Sequence, residues 1–110
     1  IILSASFDPS QGVILNKTLI DLMEGKYFIN TARAELTDEN YLSLKAGQGF
    51  FKGLAIDVIT EEQSSRTNLD KLIKASKKHN VIITPHIGGA TFFFLARTQE
   101  FINNKWIKSL

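Results

Sequence analysis

The sequence predicts an α/β protein built on a parallel sheet, and three observations lead to this prediction. Four short apolar runs are separated by longer segments with helical spacing and helix-capping residues. These segments are long enough for crossover helices, and strand–helix–strand units of this kind give parallel strands with right-handed connections. Ionisable residues stand at the ends of three of the runs, at Arg33, Asp57 and His86. Such residues collect at the carboxyl edge of a parallel sheet, where ligands bind.

The four apolar runs are the predicted strands. They lie at residues 1–4, 27–30, 54–58 and 81–84. Continuous runs of Val, Ile and Leu are typical of strands in a buried parallel sheet. Pro85 ends the last run, because proline has no N–H for the sheet ladder.

Four helices are predicted, one after each strand, from capping residues and apolar spacing. The first helix runs through Asp21 to Met23 and is expected to end at Gly25. The second is expected to end near Gly47. The expected N-terminal caps are, in chain order, Asn16, Thr37, Asn68 and Thr91. The second helix is expected to carry Leu36, Tyr41 and Leu44 inward. The third is expected to run through Leu72, Ile73 and Ala75, and in the last Leu95, Ile102, Trp106 and Leu110 fall at offsets of seven, four and four.

Composition limits the class of protein. A chain of 110 residues with 44% hydrophobic and 22% charged residues is typical of one small globular domain. A net charge of +2 is too small to indicate a nucleic acid or an anionic membrane as partner. The absence of cysteine excludes disulfides and thiolate metal sites, and two histidines without metal-binding spacing argue against zinc. The apolar runs are far shorter than a membrane span, and the start lacks the pattern of a signal peptide. The chain also begins without methionine and inside a predicted strand, so we expect it to be part of a larger protein.

The three residues at the strand ends each have a structural and a functional interpretation. Arg33 is either a surface arginine or a guanidinium that holds a carboxylate through two parallel bonds. Asp57 stands in an apolar strand, so it is either the cap of a neighbouring loop or an acceptor for a ligand amide. His86 is either a histidine bonded to a backbone carbonyl or an acid–base group beside a flat ligand. Gly88 and Gly89 leave room for a group to approach the backbone closely.

Two further features have open interpretations. Glu61 and Glu62 form a loop pair that is solvated by default, although one of them could hold the tautomer of His86. The four large apolar residues at 92–95 cannot all face one core. At least one of them should contact another domain or subunit, or line a pocket.

Three sequence blocks resemble the second half of the nucleotide-binding domain of the NAD-dependent D-2-hydroxyacid dehydrogenases. They are Ile-Asn-Thr-Ala-Arg at 29–33, Gly-Leu-Ala-Ile-Asp-Val at 53–58 with Glu62 five residues past the aspartate, and Thr-Pro-His-Ile-Gly-Gly-Ala-Thr at 84–91. Their order and spacing match the family over essentially the whole chain, and His-Ile-Gly-Gly resembles the phosphoglycerate, glycerate and hydroxypyruvate branch. The resemblance implies a partial Rossmann-type sheet. Residues 1–110 would be the second half of the nucleotide-binding domain, with the Gly-rich half and the substrate domain absent.

The resemblance also implies roles for the site residues. Arg33 matches the residue that binds the substrate carboxylate and keto oxygen, His86 the acid–base group, and Glu62 the partner of that histidine. The positions that match the nicotinamide and ribose contacts are Thr31, Ala32, Arg33, Asp57, His86, Ile87, Gly88 and Gly89. The implied cofactor is NAD, with NADP left open, and the implied substrate is a D-2-hydroxy acid or a 2-oxo acid, with no metal. The resemblance implies a cytoplasmic homodimer.

The chain departs from the family pattern at several points. The residue after the arginine is Ala34, where the family usually has glycine, and the acidic Glu35 follows it. Ala34 is strained if that position requires a positive φ. No Gly-x-Gly-x-x-Gly loop occurs in the sequence, so the pyrophosphate cradle is missing. We therefore expect the isolated chain to be inactive. The alternative to an active oxidoreductase is an inactive NAD-binding sensor or scaffold protein of the same fold.

Overall fold

Four parallel strands form a single sheet in a computed structural model of the chain, which describes residues 1–60, 66–88, 95–97, 99 and 100. The strands are β1 (Ile2–Leu3), β2 (Tyr27–Asn30), β3 (Gly53–Ile56) and β4 (Val81–Ile83), and they lie side by side in chain order. All neighbouring pairs are parallel. The predicted α/β class and all four predicted strands are confirmed, with ends that shift by one or two residues.

Helices connect the strands. They are α1 (Lys17–Asp21), a short 3-10 helix (Ala34–Leu36), α2 (Glu39–Gly47) and α3 (Thr67–Ser76). Asn16 caps α1 as predicted, since its side chain accepts the amide of Leu19 at 3.1 Å. α1 ends at Asp21, two residues earlier than predicted, and Gly25 follows in a turn with a φ of 66°.

The predicted cap of α2 is wrong. Asp38, and not Thr37, caps this helix, because its carboxylate accepts the amide of Tyr41 at 3.0 Å. Thr37 belongs to the preceding 3-10 turn, where its amide donates to the carbonyl of Ala34. Its hydroxyl accepts a bond from Nδ2 of Asn30 at 3.4 Å and does not cap α2.

The predicted cap of α3 is also wrong. Arg66 stands at the cap position without a capping side chain, and Asn68 lies inside the first turn. Asn68 instead accepts a bond from the hydroxyl of Ser43 at 3.2 Å, which joins α3 to α2. The predicted cap Thr91 lies outside the described residues. So do Phe92, Phe93 and Phe94, and Ile102, Trp106 and Leu110.

The hydrophobic core lies between the sheet and its helices. The helices and the first three strands contribute buried residues to it, and Val81 and Ile83 of β4 pack against it partly buried. The largest fully buried apolar side chains are Phe28, Ile20, Leu36 and Leu72. The burial predicted for Leu36 is confirmed, and Tyr41 packs against the core partly buried. Leu72 and Ala75, which were predicted to lie in the third helix, are buried as well.

Leu44, which was predicted to face inward, is exposed, and so are Ile73 and Leu95. Leu44 is 49% exposed, Ile73 41% and Leu95 56%. In α2 the buried residues are Leu42, Ser43 and Ala46. Leu44 faces outward because Leu36 belongs to the separate 3-10 turn, so helical spacing counted from Leu36 does not carry over into α2.

The described part of the chain shows neither a membrane-spanning helix nor a metal-binding cluster. None of its helices combines the length and the apolar character needed to cross a bilayer. Nor do its His, Asp and Glu side chains gather in groups of three or more that could hold a metal ion.

Candidate functional site

The candidate site lies where three neighbouring strands end at one edge of the sheet. Arg33 follows β2, Asp57 follows β3 and His86 follows β4. All three residues line one cleft, as expected when parallel strands bring their carboxyl ends together. Glu62 and Gly89, which were predicted for the same site, lie outside the described residues.

Arg33 is exposed at the end of the loop that leaves β2. Its backbone is extended, with φ −147° and ψ 147°. Its Nη1 donates to the carbonyl of Ala32 at 2.9 Å. Within residues 1–60 and 66–88, no carboxylate forms an ion pair with this guanidinium. Its further N–H donors can therefore take an anionic group from the cleft.

A buried asparagine shapes the loop that carries this arginine. Asn30 is the last residue of β2 and is only 1% exposed. Its Oδ1 accepts the amide of Ala32 at 3.0 Å, and its Nδ2 donates to the carbonyl of Arg33 at 3.2 Å and to the hydroxyl of Thr37 at 3.4 Å. The side chain thus supplies partners for backbone groups that have left the sheet ladder.

Asp57 is buried and holds the loop that follows β4. Its Oδ1 accepts bonds from the hydroxyl of Thr84 and, at 3.0 Å, from the amide of Ile87, and its Oδ2 accepts the amide of Gly88 at 2.9 Å. The Thr84 hydroxyl above all, then the amides of Gly88 and Ile87 and the charge of His86, hold the pKa of the Asp57 carboxyl below its ordinary value, although burial opposes them. Of the two interpretations left open by the sequence, this geometry is that of a loop cap.

The backbone of His86 is strained, and its ring is exposed. Its φ of 55° lies in the left-handed region, and among the described non-glycine residues it alone has a positive φ. This conformation costs an L-residue about 1–2 kcal/mol. The amide of His86 donates to the carbonyl of Thr84 at 3.0 Å, and the next two amides both donate to Asp57. These bonds offset the strain, which is a frequent feature of functional sites.

The Asp57 carboxylate also explains why residue 88 is a glycine. A Cβ built on Gly88 would lie 2.8 Å from Oδ2 of Asp57, closer than real Cβ atoms come to another heavy atom. The group that approaches this backbone is therefore the protein's own side chain. The remaining predicted contact residues at this edge differ in exposure: Thr31 and Ile87 are exposed, and Ala32 is half-buried.

The hydrogen bonds of Asn30 to the loop after β2, and of Thr84 to Asp57, were not predicted from the sequence. Both residues were predicted only as the last residue of a strand and as part of a block that resembles the family. A signal for both was present, because each is the first polar residue at the end of an apolar run. A buried polar side chain at such a position must find partners, and the loop that follows provides them.

The chain matches the family model described as D-isomer specific 2-hydroxyacid dehydrogenase, NAD binding domain, over residues 1–88. It is 37% identical over 95 residues to the D-3-phosphoglycerate dehydrogenase of Haemophilus influenzae, which covers 86% of this chain and 22% of that protein. It is 35% identical over 80 residues to the glyoxylate reductase of Pyrococcus horikoshii, covering 72% of this chain and 22% of that protein. The chain spans between 19% and 33% of the length of the curated relatives it matches.

Solved structures give the same result for the fold. The D-lactate dehydrogenase from Aquifex aeolicus, complexed with NAD and lactic acid, superimposes with a TM-score of 0.74 at 29% identity, covering 98% of this chain and 37% of that one. The NAD-complexed D-isomer specific 2-hydroxyacid dehydrogenase from Lactobacillus delbrueckii ssp. bulgaricus gives 0.66 at 26% identity, covering 82% and 30%. The predicted Rossmann-type parallel sheet is confirmed.

Proposed function

Since this chain belongs to the D-isomer specific 2-hydroxyacid dehydrogenase family, in its NAD-binding domain, we propose that the protein carrying it transfers a hydride between NAD and a D-2-hydroxy acid or 2-oxo acid. The observation that carries the proposal is that Arg33 and His86 line one cleft beside Asp57. Oxidation of a hydroxy acid needs a group that holds a carboxylate and a group that removes a proton. A guanidinium and an imidazole on one cleft meet both needs.

The residues at this edge fit the nicotinamide end of NAD. Thr31 and Ile87 offer an exposed hydroxyl and an exposed apolar surface, which suit a flat ring with a polar carboxamide. Asp57 Oδ2 accepts one bond, from Gly88, and keeps capacity for a second donor. The sequence contains no Gly-x-Gly-x-x-Gly loop for the pyrophosphate. We therefore assign only the nicotinamide end of NAD, or of NADP, to Thr31, Ala32, Arg33, Asp57, His86, Ile87, Gly88 and Gly89.

The chain's own residues divide the remaining chemistry. NAD, when bound, supplies the hydride acceptor in the oxidising direction. Neutral His86 removes the hydroxyl proton of the substrate. Arg33 holds the substrate carboxylate and stabilises negative charge on the developing carbonyl oxygen. We assign to Glu62 a hydrogen bond to His86 that stabilises its protonated form, and to Asp57 the fixing of the loop on which His86 stands.

The test compares the two histidines of the chain in the complete protein. A panel of D-2-hydroxy acids and 2-oxo acids is assayed by absorbance of the reduced nicotinamide cofactor. His86→Ala should lower kcat/KM by about 10²–10⁴-fold, the range of a lost general acid–base group. The control is His79→Ala, because His79 contacts the carbonyl of Gly47 at 3.3 Å, outside the candidate site. If both variants stay within a few-fold of the wild type, the assignment of His86 is wrong.

The alternative function, a catalytically inactive NAD-binding sensor or scaffold, predicts nucleotide binding without turnover on the whole panel. Backbone strain at Ala34 would favour this alternative if the position required a positive φ. Ala34 is buried at the start of the 3-10 helix, and it is not among the described residues with positive φ. Its methyl group therefore gives no reason to expect a damaged site.

The assembly and location of the complete protein belong to the same proposal. We expect a cytoplasmic homodimer without nucleic acid or membrane partners, in keeping with the small net charge of +2. Light scattering coupled to size exclusion would test the dimer. We also expect the isolated chain, residues 1–110, to bind NAD weakly or not at all, since it lacks the pyrophosphate loop. Tight binding by calorimetry would contradict this.

A further inference from the structure

We propose that Asn30 is a positioning residue for Arg33: its side chain bonds the peptide groups on both sides of the Ala32–Arg33 peptide, and the carbonyl of that peptide holds the guanidinium. The inference rests on the proposed function, in which Arg33 binds the substrate carboxylate. Asn30 itself is not expected to touch substrate.

The surroundings of Asn30 show that its polarity serves the loop and not the core. Across the sheet, Asn30 is in register with Leu3 on one side and Ile56 on the other, and Ile83 continues this row. At 1% exposed, it occupies a place where an apolar side chain would be buried without needing any partner. A buried amide is favourable there only because the loop uses its bonds.

Those bonds connect Asn30 to both ends of the arginine. Oδ1 of Asn30 accepts the amide of Ala32 at 3.0 Å, which fixes the peptide unit that precedes Ala32. The carbonyl of Ala32 in turn accepts Nη1 of Arg33 at 2.9 Å. Nδ2 of Asn30 donates to the carbonyl of Arg33 at 3.2 Å, so the backbone of the arginine is held as well. The side chain of Asn30 thus bonds the backbone of Arg33 directly, and it supports the guanidinium through the backbone of Ala32.

The arrangement is anchored to the second loop of the site. The backbone carbonyl of Asn30 accepts the amide of Asp57 at 3.0 Å. Asp57 holds the loop of His86 through the amides of Ile87 and Gly88. One continuous set of hydrogen bonds therefore links the loop that carries Arg33 to the loop that carries His86.

The experiment is a double-mutant cycle in the complete protein with Asn30→Asp and Arg33→Ala. Asn30→Asp keeps the shape and the Oδ1 acceptor but removes both Nδ2 donations. It should lower kcat/KM for the 2-oxo acid about 10- to 100-fold, the range expected when a clamping group is displaced. In the Arg33→Ala background the same substitution should change kcat/KM by no more than about twofold, since it acts through the arginine.

The matched control is Ser43→Ala. Ser43 is also 1% exposed, and its hydroxyl has two acceptors within hydrogen-bond distance, the carbonyl of Asn40 at 3.0 Å and Oδ1 of Asn68 at 3.2 Å. Its effect should be equally small with and without Arg33. An Asn30→Asp effect of equal size in both backgrounds would overturn the inference, because it would then be a general loss of structure.

Hydrogen exchange separates this inference from the proposed function. In the protein without ligands, Asn30→Asp should speed exchange of the amides in peptides covering residues 31–37, while Ser43→Ala should not. If the wild type turns over no substrate, the proposed function fails, and the exchange result alone decides whether Asn30 fixes the loop. If Asn30→Asp does not fold, Asn30→Ala replaces it, since it removes the bonds to Ala32 and Arg33 without burying a charge. It should speed exchange over the same peptides, and unchanged exchange would overturn the inference.

Discussion

Replacing Asp57 by asparagine tests how the loop of His86 is held. Three donors converge on the Asp57 carboxylate, two at Oδ1 and one at Oδ2. Asparagine can keep its carbonyl oxygen toward Thr84 and Ile87, but it then turns an N–H toward the amide of Gly88. The substitution therefore loses one bond to a charged group, about 1.5–3 kcal/mol, and weakens two others. We expect a loss of about 2–4 kcal/mol in the free energy of unfolding at pH 7.

The dependence on pH follows from the lowered pKa of Asp57. A carboxyl whose pKa is lower in the folded protein contributes stability above its ordinary value of 3.8, and that contribution is lost as pH falls through the folded pKa. Asparagine does not titrate. The difference in stability between wild type and Asp57→Asn should therefore be largest at neutral pH and shrink below pH 3.8.

Urea unfolding of both proteins between pH 7 and pH 3 measures these two effects. The control is Asp38→Asn, the same chemical change at a residue that accepts one helix amide, at 3.0 Å. Asparagine caps helices about as well as aspartate, so the control should stay within about 1 kcal/mol of the wild type. Equal small losses in both variants, or a gap that does not change with pH, would refute the role given to Asp57.

Two further predictions concern glycines. Gly88→Ala should lower the free energy of unfolding by about 1–3 kcal/mol, because the added Cβ would lie 2.8 Å from Asp57 Oδ2. Gly47→Ala, which adds the same methyl group into open space at the end of α2, should be neutral or stabilising by up to about 1 kcal/mol; equal denaturation midpoints for the two would contradict this. Gly49→Ala should cost about 1–3 kcal/mol, because its φ is +69° and its Cβ would lie 2.9 Å from the ring of His79. Repeating it in a His79→Ala background should recover only the part due to the clash, and full recovery in thermal unfolding would show that the backbone conformation costs nothing.

Local patterns in the sequence determined the elements of this fold and the residues at their ends. Apolar runs marked all four strands, and Asn16 marked the start of α1, because both signals depend on residues that are close in the chain. The parallel order followed from the length of the connections. Because parallel strands end at the same edge of the sheet, this order places Arg33, Asp57 and His86 at one edge.

Only the tertiary structure decided which polar groups are partners. Asp57 meets a hydroxyl 27 residues away and an amide 31 residues away, and these distances along the chain depend on sheet register. The cap of α2 is Asp38 and not the predicted Thr37, because Thr37 ends the 3-10 turn and Asp38 is the residue directly before the helix. Leu44 turned outward because the 3-10 turn before α2 shifts its helical phase. Sequence spacing reports the geometry within one element, whereas hydrogen-bond partners and buried faces depend on how elements pack against each other.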